Sequence, residues 1–234
     1  MPRSPAFLGN LVDIGLGRRA DVLSSTEPAP GFLEIGLRAD PPTGGWHPGH
    51  EVQFRVTPTE GRRYTVHTVG GEHDDHLGIL AATHANGPGT DWLRALRSDA
   101  RITVLAGRFA PLRGDRAGRL HLGDGSSIGT IDASARTADQ ALVVVEVPSI
   151  AVAPLSGRFA GYRFIASADE PGDALQDWLE DDRHRDALRA TRGALLLGHA
   201  QSIQRQRRFL VDGRYLERRA ITTRPYWATG RRGL

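Results

Sequence analysis

The chain contains no cysteine, and every one of its 30 basic side chains is arginine, because lysine is absent as well. Without cysteine there can be no disulfide, thiolate zinc site, iron–sulfur cluster or thiol nucleophile. Without lysine there is no Schiff-base chemistry, no pyridoxal phosphate enzyme and no P-loop lysine for phosphoryl transfer. A GC-rich codon bias accounts for arginine as the sole base. No apolar run reaches the roughly 20 residues of a membrane-spanning helix. The N-terminus lacks a basic head followed by an apolar segment, which argues against a secretory signal and for a cytoplasmic location. The formal charge of +3 is modest. The 234 residues suffice for one large or two small domains.

Two stretches carry the most chemical information. Arg62-Arg63-Tyr64-Thr65 places a cation, a flat ring and a hydroxyl on one strand. Side chains two apart share a strand face, so Arg62 and Tyr64 point together and Thr65 turns away. His84-Ala85-Asn86-Gly87-Pro88-Gly89-Thr90-Asp91-Trp92 is a Gly-Pro turn that opens a helix. The first amides of a helix lack internal partners and carry partial positive charge, which suits a diphosphate. A stacking ring, a cation and a helix N-terminus together point to a bound flavin dinucleotide and to electron transfer.

The same residues carry a family resemblance. The first stretch is similar to the Arg-x-Tyr-Ser/Thr flavin motif of the siderophore-interacting proteins, FAD-containing ferric-siderophore reductases of the ferredoxin–NADP reductase-like superfamily. The second resembles their His-Gly-x-Gly-Pro-Ala-Ser-x-Trp segment, with Ala85, Gly89 and Thr90 as departures. The likeness runs on through Leu122-Gly123-Asp124-Gly125 and Leu197-Gly198-His199-Ala200 to Tyr226-Trp227, covering nearly the whole chain after about residue 30. It implies that Tyr64 lies against the isoalloxazine, that Arg62 pairs with the diphosphate and that Thr65 bonds the ring edge. Gly87, Gly89 and Thr90 would form the phosphate turn. His84 reads equally as a flavin contact or as a structural histidine at a strand end.

Periodicity divides the chain. Residues 1–30 show no sustained pattern and read as an irregular arm. From 31 to 112, short alternating segments such as Leu33-Ile35-Leu37 and Val52-Phe54-Val56, separated by Gly and Pro turns, predict an antiparallel β-barrel, here the FAD-binding domain. One short helix near Thr90 interrupts it. From 113 to 234, apolar strands alternate with helical stretches. This predicts an open parallel α/β domain of the nucleotide-binding type. Its strands are centred on Leu120-His121-Leu122, Ala141 to Val147, Tyr162 to Ala166, Ala194 to Gly198 and Ala220 to Thr223.

In that second half, Gly123-Asp124-Gly125-Ser126 sits where a strand turns into a helix and is a candidate nicotinamide-dinucleotide loop, although tight turns of this kind need glycine in any case. The resembled family reads Gly-Asp-Glu-Thr-Ala-Leu-Pro-Ala here and Ala-Gly-Glu-x later. Gly125-Ser126 therefore replaces Glu-Thr, and His199 replaces the second glutamate. Both departures fall on the side of the hydride donor, so FAD is better supported than NADH or NADPH. Tyr226 and Trp227 resemble the Gly-Tyr-Trp-x-x-Gly ending and read as a flavin cover or as a closure of the core, with the cover favoured. Arg231 and Arg232 read as an exposed solubilising tail or as cations that attract an anionic ferric chelate.

The remaining clusters read blandly. His47-Pro48-Gly49-His50 and His73-Asp74-Asp75-His76 are polar turns rather than a metal site. Arg205, Arg207, Arg208, Arg214, Arg218 and Arg219 spread around helix faces without an aromatic RNA-binding signature. The expectation is a monomeric, cytoplasmic FAD-dependent ferric-siderophore reductase, with no catalytic acid–base side chain, no nucleic-acid partner and no membrane insertion. Two alternatives stay open: a flavin reductase of the same fold with another acceptor, and a non-catalytic siderophore- or flavin-binding protein that has lost NAD(P)H use.

Overall fold

A computed structural model describes residues 17–106 and 118–230. The chain divides into two compact units, with the boundary in sequence between Pro111 and Leu112.

The first unit is a closed antiparallel barrel. Its strands are β1 (Gly17–Ala29), β2 (Phe32–Ala39), β3 (Glu51–Thr57), β4 (Glu60–Gly70), β5 (His76–Ala82) and β6 (Arg101–Ala106), in the order β1-β2-β5-β4-β3-β6. Inward residues Ile35, Leu37, Val52, Phe54, Val66, Ile79 and Val104 fill it, as strand alternation dictates. A helix, α1 (Pro88–Ala95), lies between β5 and β6 in sequence and contributes Leu93, 1 % exposed, to the same core. Burying a leucine this fully stabilises by roughly 1.5–3 kcal/mol.

Residues 17–29 correct the expectation of an irregular arm. They form the longest strand, paired with β2 on one side and β6 on the other. Only Ala20, Val22 and Ala29 of this strand are fully buried, and register shifts follow Val22 and Thr26. Small inward side chains and a broken period hid the strand. Positions 1–16, the rest of that arm, lie outside the described residues, as does the 113–117 start of the second expected domain.

The second unit carries five parallel strands: β7 (Arg119–Asp124), β8 (Ala141–Val147), β9 (Arg163–Ala166), β10 (Gly193–His199) and β11 (Ile221–Trp227), ordered β11-β10-β7-β8-β9. Its helices are α2 (Ile128–Ala135), α3 (Ser149–Arg158), α4 (Asp173–Glu180), α5 (Arg185–Ala190) and α6 (Ala200–Asp212). All seven residues of β10 are buried, as expected of an inner strand covered on both faces. The strand order reverses between β7 and β10. In open α/β sheets, ligand crevices lie outside the strand carboxyl ends at such a point. Among the described residues, no helix is long and apolar enough to cross a membrane.

Candidate functional site

On the barrel, β4 pairs with β3 so that Arg62 lies opposite Phe54 and Tyr64 opposite Val52. Gly89, in the first turn of α1, backs directly onto the Arg62 and Tyr64 side chains. A β-carbon there would lie 2.9 Å from the Tyr64 Oη and 3.2 Å from the Arg62 Cγ. Only glycine permits this approach without displacement. The two stretches singled out in the sequence therefore meet.

Pro88 stands at the first helical position, and among the described residues no side chain caps the helix. The first internal bond runs from the Asp91 amide to the Gly87 carbonyl at 3.0 Å, so the amides of Gly89 and Thr90 precede the helical ladder. The Thr90 hydroxyl donates to the Ala85 carbonyl at 2.7 Å and closes the loop that leads in.

Arg62 is oriented locally. Its Nη1 donates to the Gly61 carbonyl at 2.9 Å and its Nη2 to the Glu60 carboxylate at 3.2 Å, with the side chain 37 % exposed. The tie to Glu60 aims the guanidinium, and the exposure leaves it reachable by an anion. Burial pushes the Tyr64 phenol up to about 12, against the opposing charge of Arg62, so it stays a neutral ring. Its centroid lies 5.5 Å from that of Phe54, which in turn stacks on Trp92 at 5.0 Å. Phe54, 1 % exposed, belongs to the barrel core, and Tyr64 and Trp92 both pack against that core, so the two neighbours support the Tyr64 ring from within; the across-strand position of Phe54 was the available signal. Thr65 pairs with Glu51 in the ladder, one step round from Tyr64. His84 is exposed at the end of β5, its ring 5.9 Å from Phe32, beside the β1–β2 turn.

In the α/β unit, Asp124 ends β7 and gathers three N–H donors. Its Oδ1 accepts from the Ser126 amide at 2.9 Å, and its Oδ2 accepts from the His199 amide at 2.9 Å and from the Trp227 Nε1 at 2.8 Å. The Ser126 hydroxyl also donates to it. Gly198, at φ +101°, must be glycine, since a β-carbon would collide with the same carboxylate. Gly123 and Gly125 are buried within this turn. Within the loop expected to receive dinucleotide phosphates, the amide and hydroxyl of Ser126 are thus engaged by the chain's own anion.

His199 is fixed at both ring nitrogens. The Thr229 amide, at 3.3 Å, and the Thr229 hydroxyl, at 3.0 Å, donate to Nε2. Nδ1–H therefore donates to the Ser202 Oγ at 2.7 Å, and that hydroxyl passes its own hydrogen to the Pro171 carbonyl. Burial, the largest cause, holds the imidazole below its ordinary value. The Trp227 ring rests on it at 4.3 Å. Tyr226, the other member of the expected cover, shares a hydrogen bond with Thr130 of α2 at 2.5 Å. Both aromatic residues thus make contacts within their own unit. Arg231 and Arg232 lie outside the described residues.

Sequence reading missed Glu146, the single acid in the apolar β8. It is 4 % exposed and accepts from the amides of Gly172 at 3.0 Å and Leu175 at 3.3 Å. Burial is the main cause that raises its carboxyl above the usual range. It also missed the His121–Ser134 pair, bonded at 3.0 Å. Burial, then the charge of Arg119, pushes that imidazole down to about 4. The wholly buried ring acts as a packing residue.

No protein-family profile matches the sequence, and no curated protein matches it by sequence. Solved structures do match. The siderophore-interacting protein of Acinetobacter baumannii superposes with a TM-score of 0.73 at 14 % identity, over 92 % of this chain and 91 % of that one. The siderophore-interacting protein of Aeromonas hydrophila gives 0.67 at 16 %, over 92 % and 93 %. A ferredoxin NADP+ reductase of Neisseria gonorrhoeae, with FAD and NADP bound, gives 0.66 at 16 %, over 90 % and 99 %. The fold is that of the siderophore-interacting and ferredoxin-reductase-like proteins.

Proposed function

We propose that the chain is a flavin-dependent oxidoreductase that holds FAD on its barrel and delivers electrons to Fe(III) in a chelate of the siderophore class. The observation that carries this reading is the seating of Gly89 against Arg62 and Tyr64. It brings uncapped helix amides, an oriented guanidinium and a neutral aromatic ring to one place. These groups fit a diphosphate joined to a flat ring: the amides of Gly89 and Thr90 and the Arg62 fork take the phosphates, and Tyr64 supplies the stacking face, with Thr65 at the ring edge. When bound, the flavin stores two electrons and releases them singly, so one reduced flavin accounts for two Fe(II). Ferrous iron binds hard oxygen ligands more weakly than ferric iron, so reduction frees the metal. The protein contributes binding, orientation and local charge; a transfer between redox centres needs no catalytic acid or base.

A donor other than a nicotinamide is favoured, since Asp124 engages the Ser126 amide and hydroxyl of the glycine-rich loop. Arg231 and Arg232 remain our candidates for drawing in the anionic chelate, and Tyr226 and Trp227 for covering the ring.

The test is anaerobic. FAD-loaded protein reduced with one equivalent of dithionite is mixed with ferric hydroxamate or catecholate chelates in the presence of a coloured Fe(II) trap. Return of the flavin band with two trapped Fe(II) per flavin is the expected result. Reoxidation only by non-iron acceptors would favour the alternative flavin reductase, and failure with every acceptor would favour a binding protein.

A further inference from the structure

The carboxyl ends of β7, β8 and β10 and the start of α4 enclose a cavity of about 20 Å³, room for one water-sized guest. Its wall includes Asp124, Glu146, His199, Ser202, Gln206 and Trp227. Glu146 is 4 % exposed and makes no ion pair among the described residues; its partners are the two amides of the first turn of α4. Gln206 is 1 % exposed, and among the described residues its Oε1 has no hydrogen-bond partner. Three donors of the same wall are engaged elsewhere: His199 Nδ1 on Ser202, the Ser202 hydroxyl on Pro171, and Trp227 Nε1 on Asp124. A side chain with an unpartnered acceptor thus lines the same cavity as a buried carboxylate.

Buried charge is normally offset by a partner ion, and a buried acceptor by a donor. The α4 dipole offsets part of the carboxylate's charge, but it does nothing for Gln206. We propose that this cavity binds one monovalent cation of the alkali-metal or ammonium class, between the Glu146 carboxylate and the Gln206 Oε1. A hydrated divalent ion is excluded by size, because it keeps several waters that a one-water cavity cannot hold. Among the described residues, no three His, Asp or Glu side chains gather as a metal site either. The Asp124 and Asp173 charges, which together with burial disfavour ionised Glu146, act in favour of such a guest. The proposed site does not rest on the flavin reading.

Thermal unfolding of the full chain at pH 7.5 is compared in NaCl, KCl, NH4Cl and choline chloride at equal ionic strength. Choline is too large to enter. At least one small cation is expected to raise the transition saturably, by roughly 3–6 °C at ten times its dissociation constant. Gln206→Met removes the acceptor at similar volume and should weaken the apparent affinity at least about tenfold, a loss of one hydrogen bond to a charged group; Glu146→Gln should abolish the dependence. Identical transitions in all four salts overturn the proposal, and would mean that the Gln206 amide is turned to present its NH2 group or that a water fills the space. A cation effect undiminished in Gln206→Met also overturns it. Should Glu146→Gln fail to fold, the wild-type salt series and Gln206→Met decide alone.

Discussion

Replacing Arg62 with alanine is expected to weaken FAD binding about 10- to 150-fold, the equivalent of one charge-assisted phosphate contact of roughly 1.5–3 kcal/mol. The guanidinium is already aimed by Glu60 and the Gly61 carbonyl, so little ordering entropy opposes the contact. Arg62→Lys separates charge from geometry. Lysine keeps the positive charge but loses the planar fork, and an intermediate affinity is expected. Calorimetric titration of apoprotein with FAD measures all three. Unchanged affinity in Arg62→Ala would make Arg62 a structural strand residue whose Cγ merely packs on Gly89.

The second large effect concerns the electron donor. NADH and NADPH are expected to reduce the bound flavin poorly, with dinucleotide affinity on the order of 30-fold below that of an open loop. The figure follows from geometry: a phosphate at Gly123-Asp124-Gly125-Ser126 must displace the carboxylate from the amide and the hydroxyl of Ser126. Each such bond contributes about 1 kcal/mol net, and the two together correspond to roughly one and a half decades. The displaced Asp124 charge also repels the incoming anion. Gly125-Ser126 and His199 offer no acidic substitute where the resembled motifs carry Glu-Thr and Glu. Dithionite requires no docking and should bleach the flavin promptly. Stopped-flow traces with NADH, NADPH and dithionite test this, and rapid reduction that saturates at micromolar nucleotide would defeat it.

Much of the barrel was legible in sequence because its inward residues are large and strictly alternating: Ile35 and Leu37 on β2, Val52 and Phe54 on β3. β1 was not, since alanine and one valine do its burying and two register shifts break the period. The parallel sheet was legible through its apolar runs, of which Ala141 to Val147 is the plainest. The two-residue strand period is enough to put Arg62 and Tyr64 on one face. What brought Gly89 onto them was the tertiary path of α1, and the sequence marked this only as a Gly-Pro turn. The Asp124 hub was illegible for a simple reason: two of its three N–H donors come from positions 75 and 103 residues away. Glu146 offered a signal, an acid inside an apolar strand, but its meaning depends on the amides of α4 and on Gln206, which local pattern does not reach.

A dinucleotide flavin seated where Gly89 meets Arg62 and Tyr64 is the premise on which the proposed electron transfer depends. The most direct measurement is the absorption spectrum of the purified or reconstituted protein, followed by chromatography of the cofactor released by heat. Flavin bands and release of FAD are predicted, because the amides of Gly89 and Thr90 and the Arg62 fork are assigned to a diphosphate that FMN lacks. Release of FMN alone, or failure to take up FAD on reconstitution, would contradict it.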